Sequence, residues 1–171
     1  KGFTDALRME LEADEQPVSV TLIQPSAINT PFPINAKNVT DKKFTLPPPV
    51  YAPETVAETI LHCCETFERN VFVGGGGKSL SALGYYAPRL TDEVMASDAF
   101  ANSQKLDEPP LEKNALTRPS ENLSERGNYE GHTMESSVYT QASLHPATTL
   151  AAAAGIGLGL AALWRASQKN N

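Results

Sequence analysis

A short loop of small and polar residues, PSAINT at positions 25–30, follows the apolar run VSVTLI at positions 18–23. The run predicts a strand that is buried on both faces, because it is rich in apolar and β-branched residues. Pro25 ends the run, since proline donates no hydrogen bond to a ladder. In open α/β sheets, ligands bind at the carboxyl ends of the strands. We therefore expect positions 25–30 to line a ligand site.

Three residues of types that bind metals are adjacent in the sequence: His62, Cys63 and Cys64. Successive helical positions point in different directions, whereas a zinc site needs ligands that converge on one centre. We therefore expect no metal here and predict that His62 is a solvated helix residue. Adjacent cysteines rarely form a structural disulfide, so a reducing, cytoplasmic location is the simpler expectation.

The glycine run GGGGKS at positions 74–79 is a second candidate for ligand chemistry. A P-loop needs the pattern G-x-x-x-x-G-K-[ST], and counting back from Gly77 puts the first required glycine at Phe72. The pattern fails, and we do not expect a nucleoside triphosphate. The formal net charge of −6 also argues against a nucleic-acid partner, which usually needs a basic face.

Helical patterns flank the loop at positions 25–30. In residues 1–13, apolar side chains recur at i, i+3, i+4 and i+8 from Phe3, which predicts an amphipathic helix with Arg8 on its solvent side. A second helix is predicted over residues 53–69, since proline suits the first helical turn. Its predicted buried face consists of Val56, Ala57, Ile60, Leu61, Cys64 and Phe67.

A strand is predicted at residues 70–73, followed by two helical pieces in residues 78–100 that break near Ala87 and Pro88. The loop over residues 34–53 contains three successive prolines, which exclude a helix. A loop of this length in a compact domain often forms a lid over a site.

Several of these motifs, in this order, resemble the last third of the short-chain dehydrogenases/reductases (SDRs). They are GFTDALR at positions 2–8, PSAINT at 25–30, VFVGG at 71–75 and APRLTD at 87–92, and the last is similar to a bacterial-type branch of the family. The resemblance implies an α/β fold in which residues 1–97 are the C-terminal part of a doubly wound, parallel-sheet Rossmann domain. A helical and largely irregular extension would follow.

The resemblance also implies roles for individual residues. The SDR pattern P-G-x-[VI]-x-T holds the nicotinamide of NAD or NADP, and here it predicts a cofactor-binding loop of Pro25, Ser26, Ala27, Ile28 and Thr30. The backbone of Ile28 would hold the carboxamide and the hydroxyl of Thr30 would add a contact, while Ser26 replaces the usual glycine. A substrate loop would include Phe32, Phe44 and Tyr51, although a surface loop with anchored aromatics is the alternative.

In the family, a hydride moves between NAD(P) and an alcohol or ketone, and a tyrosine aided by a lysine transfers the proton. The resemblance puts the catalytic Ser, Tyr and Lys upstream of Lys1, so we expect no catalytic residue in this chain and no activity from it alone. It also implies a homo-oligomer. The alternative is a non-catalytic, Rossmann-like interaction or scaffold module with a C-terminal membrane anchor.

Residues 98–146 are rich in Asn, Ser, Glu and Pro, which predicts an extended or disordered linker. Its scattered aromatic and histidine side chains are candidate docking anchors: Tyr129, His132, Tyr139 and His145. Residues 147–171 combine an Ala/Gly-rich hydrophobic run with a basic tail. The uncharged part, 147–164, is near the lower limit of roughly 17–25 residues for a membrane span. A membrane anchor, a helix buried in an oligomer and a disordered tail all remain open.

Overall fold

The computed structural model describes residues 1–112, 114–120 and 124–169, apart from the side chains of residues 162–164, 166 and 169. The strands, in chain order, are β1 Leu22–Pro25, β2 Ala27–Ile28, β3 Val50–Tyr51, β4 Asn70–Val73 and β5 Thr133–Met134. The helices are α1 Gly2–Ala13, α2 Phe32–Asn35, α3 Pro53–Glu65, α4 Gly75–Tyr86, α5 Pro88–Met95, α6 Asp98–Ser103, α7 Val138–Leu144 and α8 Pro146–Lys169.

All of these strands pair in parallel. β1 pairs with β4, so that Leu22 lies opposite Asn70 and Pro25 lies opposite Val73. In a second sheet, β3 lies between β2 and β5. Parallel strands joined through helices define an α/β architecture, which confirms the predicted fold class and is consistent with part of a Rossmann-like fold.

β1 is shorter and less buried than its sequence predicts. It begins at Leu22, whereas Val18 is largely exposed, and Pro25 is the last residue of the strand rather than the residue after it. The residues before β1 are bonded elsewhere, because the Val20 carbonyl accepts from the Arg8 side chain and the Thr21 hydroxyl donates to the Glu68 carbonyl. Within the described chain, β1 has β4 as its single neighbour, so it is half-buried instead of covered on both faces.

Arg8 is buried in α1, contrary to its predicted solvent position. Its guanidinium donates to the carbonyls of Val20 and Arg69 and pairs with Asp5 at 2.8 Å. Phe3, which belongs to the predicted apolar stripe, is instead 80% exposed. α1 therefore packs with the side that carries Arg8. Arg8 pairs with backbone carbonyls that precede β1 and β4, and a buried carbonyl without a hydrogen-bond partner would be costly.

α3 also packs on a different face from the one its sequence predicts. Thr55 and Thr59 are fully buried, while Ile60, Leu61 and Phe67 are exposed. The helix ends at Glu65, before the predicted end at residue 69, and the Thr66 N–H bonds to the His62 carbonyl. A hydropathy pattern marks apolar positions but does not say which face meets a neighbour within the described chain.

The glycine run forms the start of α4 instead of a loop. Gly74 has a φ of 94°, and the helix begins at the next residue. Lys78 lies over the Phe72 ring, 4.8 Å from its centroid. The predicted break between two helical pieces is present, because α4 ends at Tyr86 and α5 begins at Pro88.

The polar segment over residues 98–146 is mostly irregular, yet it contains α6, β5 and α7. Leu144 and Thr140 of α7 are buried, as is Ser137, whose hydroxyl accepts from the Thr140 N–H and caps the helix. Part of this segment is therefore packed against the rest of the chain. The sequence contains the capping serine but few apolar residues to indicate that packing.

α8 follows α7 at a sharp bend, and its described side chains are exposed. Within the described residues, no single helix is long and apolar enough to cross a membrane. The helical segments Val138–Leu144 and Pro146–Ala161 reach that length and apolar composition only when they are taken together, and a bend of 112° separates them. Residues 170–171 of the predicted basic tail, and the Lys169 side chain, lie outside the described part of the chain.

Candidate functional site

The loop at positions 25–30 begins where the carboxyl ends of β1 and β4 meet. The Ser26 N–H donates to the Val73 carbonyl at 2.8 Å, and Gly74 then turns the chain away. A Cβ added at Gly74 would lie 2.6 Å from the Tyr51 ring and 2.8 Å from the Ser26 Cβ. Ser26, Tyr51 and Gly74 are thus packed tightly at this edge, which leaves no room for a larger residue at Gly74.

Ala27 and Ile28 form β2, and their backbone groups face two different sides. In a parallel ladder, a residue bonds to the neighbours of its partner, and here the Asn29 N–H donates to the Tyr51 carbonyl at 2.9 Å. Since Ile28 is the register partner of Tyr51, the N–H and carbonyl of Ile28 point away from β3. The Ile28 carbonyl accepts from the Thr30 N–H at 2.8 Å.

A cleft of about 340 Å³ opens beside the end of this loop. Its walls come from the loop, from the proline-rich segment and from the C-terminal extension. They are Asn29, Thr30, Pro33, Lys43, Phe44, Thr45, Leu46, Pro48, Ser103, Leu106, Asn128, Tyr129, Glu130 and Gly131. Most of these walls are apolar or neutral, which is typical of a site for a small organic ligand.

The structure brings together some of the predicted site residues and separates others. Thr30 and Phe44 line the cleft, whereas the residues at positions 25–28 lie along the strand ends beside it. Tyr51 is 5% exposed and packs against Gly74, so it belongs to the core and does not contact the cleft. Phe32 is 68% exposed on α2 and does not line the cleft.

Lys43 and Glu130 are the charged side chains in the wall of the cleft, among the residues described. The Lys43 amine lies 2.8 Å from Glu108 and 3.9 Å from Glu130. Its hydrogen bond to Glu108 raises the pKa of Lys43 above the ordinary value for lysine. Lys43 therefore stays protonated at neutral pH and is unsuited to act as a general base.

The sequence places Asn29 within the expected site at positions 25–30 but predicts no role for its side chain. Its side chain is 7% exposed, its Nδ2 donates to the Thr133 hydroxyl at 3.1 Å, and its Oδ1 accepts from the Tyr129 N–H at 3.3 Å. Its backbone carbonyl accepts from the Gly127 N–H at 3.0 Å. The sequence indicates Tyr129 as a candidate docking anchor, but it does not predict that Tyr129 bonds to Asn29.

His62 and Cys63 do not form a metal centre in the described chain, where no three His, Cys, Asp or Glu side chains converge on one point. His62 is half-buried, contrary to the solvated position predicted, and its ring lies 5.7 Å from that of His145. Its Nε2 is buried with no hydrogen-bond partner among the described residues. Burial raises the pKa of the Cys63 thiol, with a further contribution from Glu68.

The chain is similar to a curated bacterial protein, the uncharacterized oxidoreductase YxnA of Bacillus subtilis (strain 168). The two are 37% identical over 158 residues, which is 91% of this chain and 44% of the relative. The chain thus spans less than half the length of that relative. Because less than a tenth of this chain is left unmatched, most of the extension after residue 97 falls within the similarity.

No family model matches the chain. No solved structure matches it significantly. The chain thus combines a parallel-sheet α/β fold with sequence similarity to a curated bacterial oxidoreductase.

Proposed function

We propose that this chain is part of an NAD- or NADP-dependent oxidoreductase of the SDR type, which transfers a hydride between its cofactor and an alcohol or ketone. In this proposal the loop at positions 25–30 holds the nicotinamide end of the cofactor, and the cleft receives the substrate. The observation that carries the proposal is the position of this loop, at the carboxyl ends of β1 and β4 and beside the cleft. The oxidoreductase name of the relative supports the general class.

The backbone at Ile28 fits the role that the SDR pattern gives it. Its N–H and carbonyl point away from β3, so neither is used in that ladder. A carboxamide offers one acceptor and two donors, which complement an N–H that the ladder with β3 does not use and a carbonyl that retains a second lone pair. Thr30, two residues on, brings a hydroxyl to the cleft wall.

In the proposed enzyme, the bound NAD(P) supplies the hydride chemistry. The residues of this chain bind and orient the cofactor and exclude water from the cleft. The proton-transfer Tyr and Lys belong, in this proposal, to the part of the longer protein that precedes Lys1. We therefore expect no turnover from the 171-residue chain by itself.

The test is a fluorescence titration of the full-length protein with NADH and NADPH. Thr30→Ala removes one hydroxyl contact, and we expect it to weaken binding about fivefold, since one hydrogen bond contributes about 1 kcal/mol. Thr40→Ala is the matched control, because the Thr40 hydroxyl bonds locally to Asn38 and Lys42 and is remote from the cleft wall. Absence of saturable binding by the unmutated protein would contradict the proposal.

A second candidate function is a non-catalytic scaffold that a C-terminal helix attaches to a membrane. The observation that favours it is the exposure of large apolar side chains along α8: Leu150, Ile156, Leu158 and Leu160. Such a scaffold would bind vesicles and show no saturable binding of NAD(P)H, so the same titration separates the two functions.

A further inference from the structure

We propose that residues 126–137, which we call the strap, form a wall of the substrate cleft and select the substrate. Asn29 is the positioning residue that fastens the strap to the loop at positions 25–30. The substrate class is a neutral alcohol or ketone with an apolar body. This inference rests on the proposed function, because it takes the cleft as the substrate site.

The strap is attached to the loop through Asn29. The side chain of Asn29 bonds to Thr133 and Tyr129, and its backbone carbonyl bonds to the N–H of Gly127. Asn29 is buried, so each of these bonds replaces water that the amide would otherwise need. One asparagine therefore fixes three points of the strap against the loop.

Both ends of the strap are anchored outside the cleft. At one end, Arg126 pairs with Glu54 of α3 at 2.9 Å, and a second ion pair, with Glu135 at 2.7 Å, joins Arg126 to the other end of the strap itself. At the other end, β5 pairs with β3, and the Ala52 N–H donates to the Met134 carbonyl at 3.0 Å. Residues 128–131 lie between these anchors and line the cleft. The pairing of β5 with β3 and the ion pair to α3 therefore hold residues 128–131 in place as a wall of the cleft.

Gly127 shows how closely the strap approaches the loop. A Cβ added there would lie 2.4 Å from the Thr30 carbonyl oxygen and 2.8 Å from Asn29 Oδ1. The nearest of these atoms belongs to the backbone, so it cannot move aside as the end of a flexible side chain would. A side chain at Gly127 must displace the strap from the loop.

The chemistry of the walls favours a neutral ligand. Phe44, Leu46, Leu106 and Tyr129 provide apolar area. Glu108 already pairs with Lys43 at 2.8 Å, and Glu130 adds a further negative charge to the wall. Binding an anionic substrate would require an unpaired positive charge, because a buried charge without a partner is costly. The described walls offer none.

The similarity to the oxidoreductase relative reaches well into the extension, since most of the residues after 97 fall within it. This agrees with an extension that serves the same site as the loop.

The experiment measures steady-state turnover by the full-length protein with 2-propanol, cyclohexanol, 1-phenylethanol and lactate. We expect cyclohexanol and 1-phenylethanol to have higher kcat/KM than lactate.

Tyr129→Ala and Gly127→Ala should raise the KM for 1-phenylethanol about tenfold and change kcat and the Kd for NAD(P)H less than about twofold, because they alter the wall and leave the loop in place. Gly84→Ala is the matched control, since a Cβ there has no neighbour nearer than Thr91 Cγ2 at 4.0 Å.

Two variants test the positioning role of Asn29. Asn29→Ala removes both side-chain bonds and should raise the same KM. Asn29→Asp keeps the acceptor for the Tyr129 N–H and can accept from the Thr133 hydroxyl, so it should restore most of the affinity for 1-phenylethanol. A purely structural role would lower thermal stability in both variants without changing the ratio of kcat/KM between 1-phenylethanol and 2-propanol.

The outcomes separate the two proposals. If the unmutated protein shows no saturable NAD(P)H binding, the proposed function is wrong. If it binds NAD(P)H and turns over alcohols, yet the strap variants keep the unmutated ratio of kcat/KM between substrates, the strap inference is wrong. NAD(P)H binding without turnover of any neutral alcohol, or a preference for lactate, would overturn the substrate class.

Discussion

At the scale of single residues, Gly74 is constrained both by its backbone conformation and by its neighbours. Its φ of 94° is unfavourable for any residue with a Cβ, and the Tyr51 ring and Ser26 Cβ occupy the space a methyl group would need. We predict that Gly74→Ala lowers the free energy of unfolding by about 1–3 kcal/mol. Urea unfolding followed by circular dichroism measures this difference.

Gly84→Ala is the control for that substitution, because Gly84 lies inside α4 with open space around its Cα. There, alanine should raise the free energy of unfolding by about 0.5–1 kcal/mol through its better helix propensity. Equal unfolding midpoints for Gly74→Ala and the unmutated protein would show that the turn after β4 is not constrained as described.

Asn29 shows what a single sequence reveals about a site residue. The pattern around it predicts a strand-end loop, and Thr30 does line the cleft. However, the partners of Asn29 lie about a hundred residues later in the chain, on a segment whose composition predicts no packing. Long-range hydrogen bonds of this kind produce no periodic pattern in the sequence. The sequence therefore predicts the strand-end loop but not the segment that forms the second wall of the cleft.

At the scale of elements, α7 is held to the start of α4 by a buried hydroxyl. The Gly74 N–H donates to the Thr140 hydroxyl at 2.9 Å, and Thr140 is 1% exposed. We predict that Thr140→Val lowers the free energy of unfolding by about 1–3 kcal/mol, because it leaves the N–H buried without an acceptor. Chemical denaturation measures the loss.

Thr59→Val is a matched control for this prediction. Thr59 is also fully buried, but its hydroxyl bonds to the Thr55 carbonyl within the same helix, and that carbonyl is already part of the helical ladder. The change should cost less than Thr140→Val. If the two variants unfold at the same denaturant concentration, the hydroxyl of Thr140 does not fasten α7.

The closed conformation of the strap should depend on pH through Glu135, because its ion pair with Arg126 joins the two ends of the strap. The hydrogen bond to Arg126 lowers the pKa of Glu135 below the ordinary value of a glutamate, about 4.3. This lowered pKa means that the pair stabilises the closed strap at pH values above the ordinary pKa, and that the contribution is lost as the pH falls through the folded pKa. We predict faster amide exchange at Gly127 and Tyr129, after correction for intrinsic rates, below about pH 4.

Glu135→Gln provides the comparison, since it keeps the size of the side chain and removes its titration. The corrected exchange rates at Gly127 and Tyr129 should then change less with pH than in the unmutated protein. Raised salt should also weaken the pH dependence, because Arg126 and Glu135 are both partly exposed and their attraction is screened. An identical pH profile in Glu135→Gln would exclude this ion pair as the cause.

Individual elements differ in how far the sequence predicts them. β4 and the break between α4 and α5 are found where the apolar run and Pro88 predict them. The packed faces of α1 and α3 are not, because they carry three buried polar side chains, each of which donates to a carbonyl oxygen: Arg8, Thr55 and Thr59. Hydropathy ranks residues by their preference for water and cannot identify polar groups that are satisfied inside.

At the scale of the whole molecule, large apolar side chains remain exposed on α1 and α3, among them Phe3, Ile60 and Leu61. β1 has one neighbour in the described chain, and the apolar faces of these helices are uncovered. Both features are expected of a part of a larger α/β sheet. The chain spans 44% of its oxidoreductase relative, which agrees with this view. The proposals on function therefore concern the longer protein.

Removal of α8 should leave the stability of the rest of the chain unchanged. The described side chains along this helix are exposed, and its bonds to α7 include that from the Thr149 hydroxyl to the Ala142 carbonyl at 3.2 Å, beside the bend. We predict that the protein truncated after His145 keeps the unfolding midpoint of the protein that retains α8, because little apolar area is buried by the helix. A lower midpoint after truncation would show that α8 supports the fold.

The same pair of proteins tests the membrane-attached alternative. If α8 is an anchor, the protein that retains it should sediment with phosphatidylcholine vesicles, and the truncated protein should stay in the supernatant. Leu158→Glu in the intact chain places a charge among the exposed apolar side chains of α8 and should abolish the sedimentation. Gln168→Glu adds the same charge at an exposed position near the end of the helix and serves as the control. Sedimentation that survives both the truncation and Leu158→Glu would place any membrane contact elsewhere in the protein.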